Sequence, residues 1–206
     1  PEALPYRAGQ FAEIEIESLP GIRRNYSFAN AMQADGTVEF FVRKVPDGVF
    51  SSHLNERNVV GQMLSIAGPS GHFWLRDDTA PLLLLAGGSG LAPILAILQD
   101  ALAKGVTRSV NLLFGARTEA DLYALEEIKA IASQWHGDFR FIPILSDCKN
   151  GDTWTGRRGL VVDLIPEIIV PGAHAYLCGP PAMIDAAVEI LMQQGIYSRH
   201  IHADRF

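Results

Sequence analysis

Residues 82–93, LLLLAGGSGLAP, constrain this chain more than any other segment. Leu82 to Ala86 is an unbroken apolar run with no polar alternation, so a strand made from it must be covered on both faces, as in a parallel sheet flanked by helices. The run passes through Gly87, Gly88, Ser89 and Gly90 into Leu91, Ile94, Leu95, Leu98 and Leu102, which recur on one helical face. A buried strand, a glycine turn and a helix start aim backbone N–H groups and the positive helix end at an anion. Gly88 and Gly90 fit the first two glycines of G-x-G-x-x-G, but the third position is Pro93. Proline suits a first helical turn, where its missing N–H is not needed. With no G-K-S/T the segment is not a P-loop, and by spacing alone it also describes a plain strand–helix turn.

Strand and helix keep alternating after this point. Residues 110–114, 141–145, 175–178 and 200–203 read as further strands. Thr118 and Asp121 resemble a capping box ahead of a helix carrying Leu122, Leu125 and Ile128 on one face. Ile184, Ala187, Val188 and Leu191 mark another helix, closed by Gly195. The pattern predicts a doubly wound parallel sheet with ligands at the carboxyl ends of its strands. Before Pro81 the period is two: in residues 11–17 (FAEIEIE) Ile14 and Ile16 point one way, Phe11 and the three glutamates the other. Residues 38–42 (VEFFV) and 63–67 are further strand candidates, set apart by Pro-, Asp- and Gly-bearing turns. Short strands at this spacing predict an antiparallel β-barrel or sandwich over 1–78, followed by the α/β domain over 79–206. The chain opens close to a strand, so a barrel strand is expected before residue 1 and the chain is expected to be a fragment.

Composition removes several classes. Seventeen basic against 23 acidic side chains give a net charge of −6, without the basic stripe that nucleic acid requires. No apolar stretch approaches the roughly 18 residues of a membrane span, and the first thirty residues show no signal peptide, so a cytoplasmic protein is expected. Cys148 and Cys178 form no metal-ligand pair and cannot ligate a four-cysteine iron–sulfur cluster; they read as two reduced thiols, with one disulfide as the alternative. His200 and His202 would share a strand face, yet no third ligand accompanies them, so they read as solvent-side histidines at the sheet edge and no metal site is expected.

Three other segments bear on chemistry. Residues 176–183 (YLCGPPAM) repeat the strand–glycine–helix arrangement, with Gly179, Pro180 and Pro181 at the start of the helix, so two turns line one edge of the sheet. Within it, Cys178 taken alone is a small buried apolar residue. Arg24, Tyr26 and Ser27 in RNYS offer a phosphate partner, a ring to stack and a hydroxyl, although by themselves they describe an ordinary barrel strand. Residues 42–54 (VRKVPDGVFSSHL) place Gly48, Ser51 and Ser52 at a helix start, which is either an anion-receptive N-terminus or a plain cap.

In this order the segments resemble the flavin- and NAD(P)H-binding module of the ferredoxin–NADP reductase family, and within it the reductase components of bacterial multicomponent aromatic-ring dioxygenases and monooxygenases. Residues 24–27 are similar to the R-x-Y-S flavin motif, 87–93 to G-G-T/S-G-x-A-P, and 178–183 to C-G-P-P-x-M. Residues 68–73 (GPSGHF) and 114–123 (FGARTEADLY) also look like family segments.

The resemblance implies an FAD-binding barrel, a nucleotide domain, and an isoalloxazine ring between them. It implies that Arg24 contacts the flavin diphosphate, Tyr26 packs on the ring and Ser27 bonds near flavin N5. Arg43, Lys44 and Val45, with Gly48, Ser51 and Ser52, would hold the ribityl and pyrophosphate portion. Gly87, Gly88, Ser89, Gly90 and Pro93, with Cys178, Gly179, Pro180 and Pro181, would cradle the nicotinamide dinucleotide. Asp204 and Phe206 match an acidic-x-aromatic ending whose aromatic covers the other flavin face until nicotinamide displaces it, and Ser27, Cys178 and Asp204 would be the catalytic residues, with Cys178 beside the nicotinamide.

By the same resemblance, hydride passes from NADH to FAD and single electrons go on to a ferredoxin or terminal oxygenase partner. A 2Fe–2S cluster would belong to a removed domain or a separate protein. Arg117 and Lys149 are basic and Asp147 acidic near the expected adenosine end, and NADH is expected over NADPH. The alternatives are a free-standing NAD(P)H flavin or cytochrome reductase of the same fold, and a non-catalytic flavin-binding module.

Overall fold

The alternation in residues 11–17 becomes strand β1 (Phe11–Ile16), which buries Ala12, Ile14 and Ile16 on one face. The computed structural model describes residues 4–148 and 153–206, so Lys149 lies outside the described residues. Strand β1 pairs antiparallel with β2 (Arg24–Ser27) on one side and β3 (Leu64–Ser70) on the other. Helix α1 (Val49–Glu56) seats Phe50 against Ile14 and Ile16. The unit is barrel-like, with three paired strands among the described residues.

The expected strand over 38–42 does not form. Only an antiparallel bridge between Phe28 and Phe40 is made, beside an Ala29 N–H bond to the Glu39 carbonyl at 2.8 Å. The cause is the buried Asn30 side chain, which accepts from the Glu39 N–H at 2.9 Å and donates to the Thr37 carbonyl at 3.0 Å. Backbone groups that a strand would pair with a neighbour are held by a side chain instead.

The second sheet has six parallel strands in the order β7-β6-β5-β4-β8-β9. They are β4 (Leu82–Gly87), β5 (Val110–Ala116), β6 (Phe139–Leu145), β7 (Arg157–Arg158), β8 (His174–Gly179) and β9 (Ile201–Arg205). Every residue of β4 and β8 is buried, as the unbroken apolar run predicts. Leu82, Leu84 and Ala86 pack with α2 (Leu91–Ala103) and α3 (Leu125–Gln134). Leu83 and Leu85 pack on the opposite face with α4 (Ile165–Ile168) and α5 (Pro181–Gln193). Each such leucine contributes about 1.5–3 kcal/mol by burial. The chain leaves β4 toward β5 on one side and returns through β8 on the other, so the switch in winding direction falls between β4 and β8.

Two expectations are corrected here. The Thr118 and Asp121 pair is present, but it closes a short turn over Glu119–Asp121, and α3 begins later, at Leu125, after Ala124 with φ 54°. His202 does not face solvent: its ring stacks on Tyr176 at 4.7 Å, and His200 lies 4.2 Å from His174. The connection from β3 to β4 covers this region, for the Tyr176 hydroxyl accepts the Arg76 N–H at 2.9 Å and the Arg108 side chain bonds the Ala80 and Arg76 carbonyls. Among the described residues no helix is long and apolar enough to cross a membrane, and no group of three His, Cys, Asp or Glu side chains is placed to hold a metal.

Candidate functional site

The switch point brings the two glycine turns together. After β4 the chain makes a tight turn over Gly88–Gly90, with Gly88 at φ 53°, a left-handed conformation that favours glycine. A Cβ on Gly90 would fall 2.2 Å from the Cys178 carbonyl oxygen, so this turn rests directly on the end of β8. Only glycine permits that approach. Pro93 is buried in the first turn of α2. Gly179 ends β8, Pro180 caps α5 and Pro181 is its first residue. Two helix starts therefore open on one crevice.

Two recesses occupy the space between this edge and the first sheet. The larger, about 840 Å³, is bounded by Phe41 and Arg43 on one side and by Gly87, Gly88, Ser89, Arg117, Tyr123, Pro180 and Met183 on the other. The smaller, about 220 Å³, is bounded by Arg24, Tyr26, Val45, Gly48, Phe50 and Ser51. Phe41, Arg43, Ser89 and Phe206 line both, so the recesses adjoin across the two halves of the molecule. Tyr26 and Phe206 face the same space.

The charges suit phosphate. Among the described residues no carboxylate pairs with Arg24 or Arg43, and the Arg24 guanidinium donates to the Arg23 carbonyl at 2.7 Å. Arg43 reaches over the glycine turn, since a Cβ on Gly88 would lie 3.7 Å from its Nη1. Lys44 turns toward α1 and pairs with Glu56 at 2.6 Å. Ser51 sits in the first turn of α1, donating to the Gly48 carbonyl at 3.2 Å and accepting the Val45 N–H at 3.2 Å. It braces the turn ahead of the helix. Ser52 continues the helix, its N–H bonded to the Gly48 carbonyl at 2.8 Å. Arg117 also lines the larger recess, 3.4 Å from the Asp121 carboxylate, while the exposed Asp147 donates its N–H to the Arg117 carbonyl at 2.8 Å.

Several expected residues lie beside the recesses without lining them. Ser27 is half-buried at the end of β2, opposite Phe11. Cys178 is wholly buried, in register with Ala86 on one side and Asp204 on the other. Burial, with the Asp204 carboxylate beside it, pushes the Cys178 thiol well above its ordinary range, so it stays protonated. Burial also raises the Asp204 carboxyl. Phe41, Tyr123 and Met183 line the larger recess but were not among the expected site residues. Tyr123 and Met183 lie inside the 114–123 and 176–183 segments, yet spacing gave neither a role.

The expected occupants are a flavin dinucleotide and a nicotinamide dinucleotide, and the residues fit them. Two guanidiniums without a carboxylate partner among the described residues, two glycine-fronted helix starts and the rings of Tyr26, Phe41 and Phe206 border the adjoining recesses.

Comparison with known proteins agrees with this arrangement. Residues 1–74 match the oxidoreductase FAD-binding domain family, and residues 84–189 match the oxidoreductase NAD-binding domain family. The chain is 40% identical over 204 residues to the xylene/toluene monooxygenase electron transfer component of Pseudomonas putida, covering 98% of this chain and 58% of that protein. It is 38% identical over 207 residues to the Ralstonia ferredoxin–NAD(P)+ reductase component of naphthalene 1,2-dioxygenase/salicylate 5-hydroxylase systems, covering 98% and 61%. Among solved structures it is similar to the Amycolatopsis cytochrome P450 reductase, with a TM-score of 0.87 and 36% identity, covering 100% of this chain and 62% of that one. The chain thus spans less than two thirds of the length of these relatives.

Proposed function

The chain belongs to the FAD- and NAD-binding oxidoreductases of the ferredoxin reductase type, and from that membership we propose that it takes hydride from NADH onto FAD and passes single electrons to an iron–sulfur acceptor of an oxygenase system. One observation carries the reading: a recess fronted by Arg24 and Tyr26 adjoins a recess fronted by the Gly87–Gly90 turn, with Phe206 on the border of both. The chemistry supplied by the bound cofactors is hydride transfer between nicotinamide and flavin, followed by one-electron release.

The chain's own residues bind and orient. Arg24 and Arg43 would neutralise flavin phosphates, and Tyr26 and Phe206 would supply rings for stacking on the isoalloxazine. The turns at Gly88–Gly90 and Gly179–Pro181 would receive the second pyrophosphate through backbone N–H groups. Ser27, Cys178 and Asp204 do not line the recesses and would act from behind the residues that do. Burial favours the neutral form of the Cys178 thiol. Asp121 lines the larger recess and pairs with Arg117, which leaves less free positive charge there for a 2′-phosphate and favours NADH.

The acceptor reading rests on the relatives, which are named as parts of monooxygenase and dioxygenase systems. The ferredoxin or oxygenase partner supplies the iron–sulfur cluster. A cytoplasmic setting is part of this proposal, since NADH is a donor available there and thiols such as Cys148 and Cys178 stay reduced there. The test is flavin uptake. The purified chain is expected to bind one FAD with visible flavin absorbance, and Arg24→Ala or Tyr26→Ala to weaken retention roughly tenfold to a hundredfold. A chain that takes up no FAD contradicts the reading.

A further inference from the structure

We propose that Tyr123 is a positioning residue for the dinucleotide: its hydroxyl fixes the orientation of the Gly88–Ser89 peptide and so the donor that Ser89 offers to the pyrophosphate. This rests on the dinucleotide reading of the larger recess. The Tyr123 hydroxyl donates to the Gly88 carbonyl at 2.9 Å. That carbonyl also accepts the Leu91 N–H, so both its lone pairs are engaged. In a planar trans peptide the C=O of one residue and the N–H of the next point in opposite directions. With the Gly88 carbonyl held toward Tyr123 and α2, the Ser89 N–H is turned the other way, and Ser89 lines both recesses.

A hydroxyl can fix a turn only if its own ring is fixed. The Tyr123 ring stands edge-on to Phe114 of β5, with centroids 5.5 Å apart at 88°, and edge-on to Phe41, 5.1 Å apart at 82°. Phe114 is wholly buried, and Phe41 comes from the first sheet's side of the cleft. The local chain is built to present the ring. The Asp121 carboxylate binds the Thr118 N–H and hydroxyl at 3.1 and 2.9 Å, and Ala124 adopts φ 54°, which non-glycine residues seldom do. Burial keeps the phenol protonated, so the donor is present across the working pH range. Through Phe41 the same ring ties the phosphate turn to the flavin side of the cleft.

The test uses the FAD-loaded chain and Tyr123→Phe, which keeps the ring contacts and removes the hydrogen bond. Flavin reduction is followed anaerobically by stopped flow with two donors, NADH and 1-benzyl-1,4-dihydronicotinamide, which carries no phosphate. The ratio of second-order rate constants, NADH over the phosphate-free donor, is expected to fall about 3- to 10-fold in the variant, the size of one lost hydrogen bond. The NADH dissociation constant is expected to change more than the limiting rate. An unchanged ratio, whether both constants hold or both fall together, overturns the proposal, because a merely loosened fold affects both donors alike. If the unsubstituted chain binds FAD but NADH does not reduce it, the dinucleotide reading itself fails and this inference falls with it.

Discussion

His202 lies against Tyr176 at the end of the sheet remote from the glycine turns, where the β3–β4 connection covers it. Burial first, and then the nearby Arg76, His174, His200 and Arg108, depress its imidazole from 6.5 to about 4. The unfolded chain therefore takes up a proton first as the pH falls. Stability that is fully present above pH 6.5 is lost progressively down to about pH 4. His174 is depressed by burial as well and acts in the same direction, with Asp78 opposing it. His202→Gln removes one titration, so the drop in thermal midpoint between pH 7 and pH 4 is expected to be smaller than in the unsubstituted chain. An identical pH dependence in the two proteins contradicts the assignment. The burial of His202 was not legible in the sequence, because what covers it arrives from a connection more than a hundred residues away. Tyr123 was hidden for the same reason: Phe41, Gly88 and Phe114 meet it only in the folded chain.

At the scale of elements, legibility followed locality. The β4–turn–α2 unit was readable because strand, glycines and helix start are contiguous, and each part needs the next for its backbone groups. Residues 38–42 had the composition of a strand but failed as one, since the decisive group is the Asn30 amide eight residues before their start. A propensity rule weighs residues within a window and misses such competition. The Thr118 and Asp121 pair was recognised, yet the turn it closes ends before Tyr123, and α3 starts only after Ala124. The contact between the two glycine turns gives a prediction at this scale. Gly90→Ala places a methyl group 2.2 Å from the Cys178 carbonyl oxygen, and neither backbone has room to give. A stability loss of about 1–3 kcal/mol is expected from urea unfolding. Unchanged stability would mean that the turns do not rest on each other.

In the whole molecule, Phe41, Arg43, Ser89 and Phe206 line both recesses between the two halves, and the Tyr176 and Arg108 side chains hold the connecting segment. Each half offers a surface for phosphate and neither alone encloses the space between. The change of period near Pro81 separates the antiparallel strands from the six-stranded parallel sheet. The ordered motifs pointed to FAD and a nicotinamide dinucleotide, and in the folded chain two recesses adjoin between the halves. The central claim is that nicotinamide and flavin meet in that space, and anaerobic titration of the FAD-loaded chain with NADH, read by visible absorbance, tests it most directly. Stoichiometric bleaching of the flavin band, one NADH per FAD, is the predicted result; a bound flavin whose spectrum NADH leaves unchanged would contradict it.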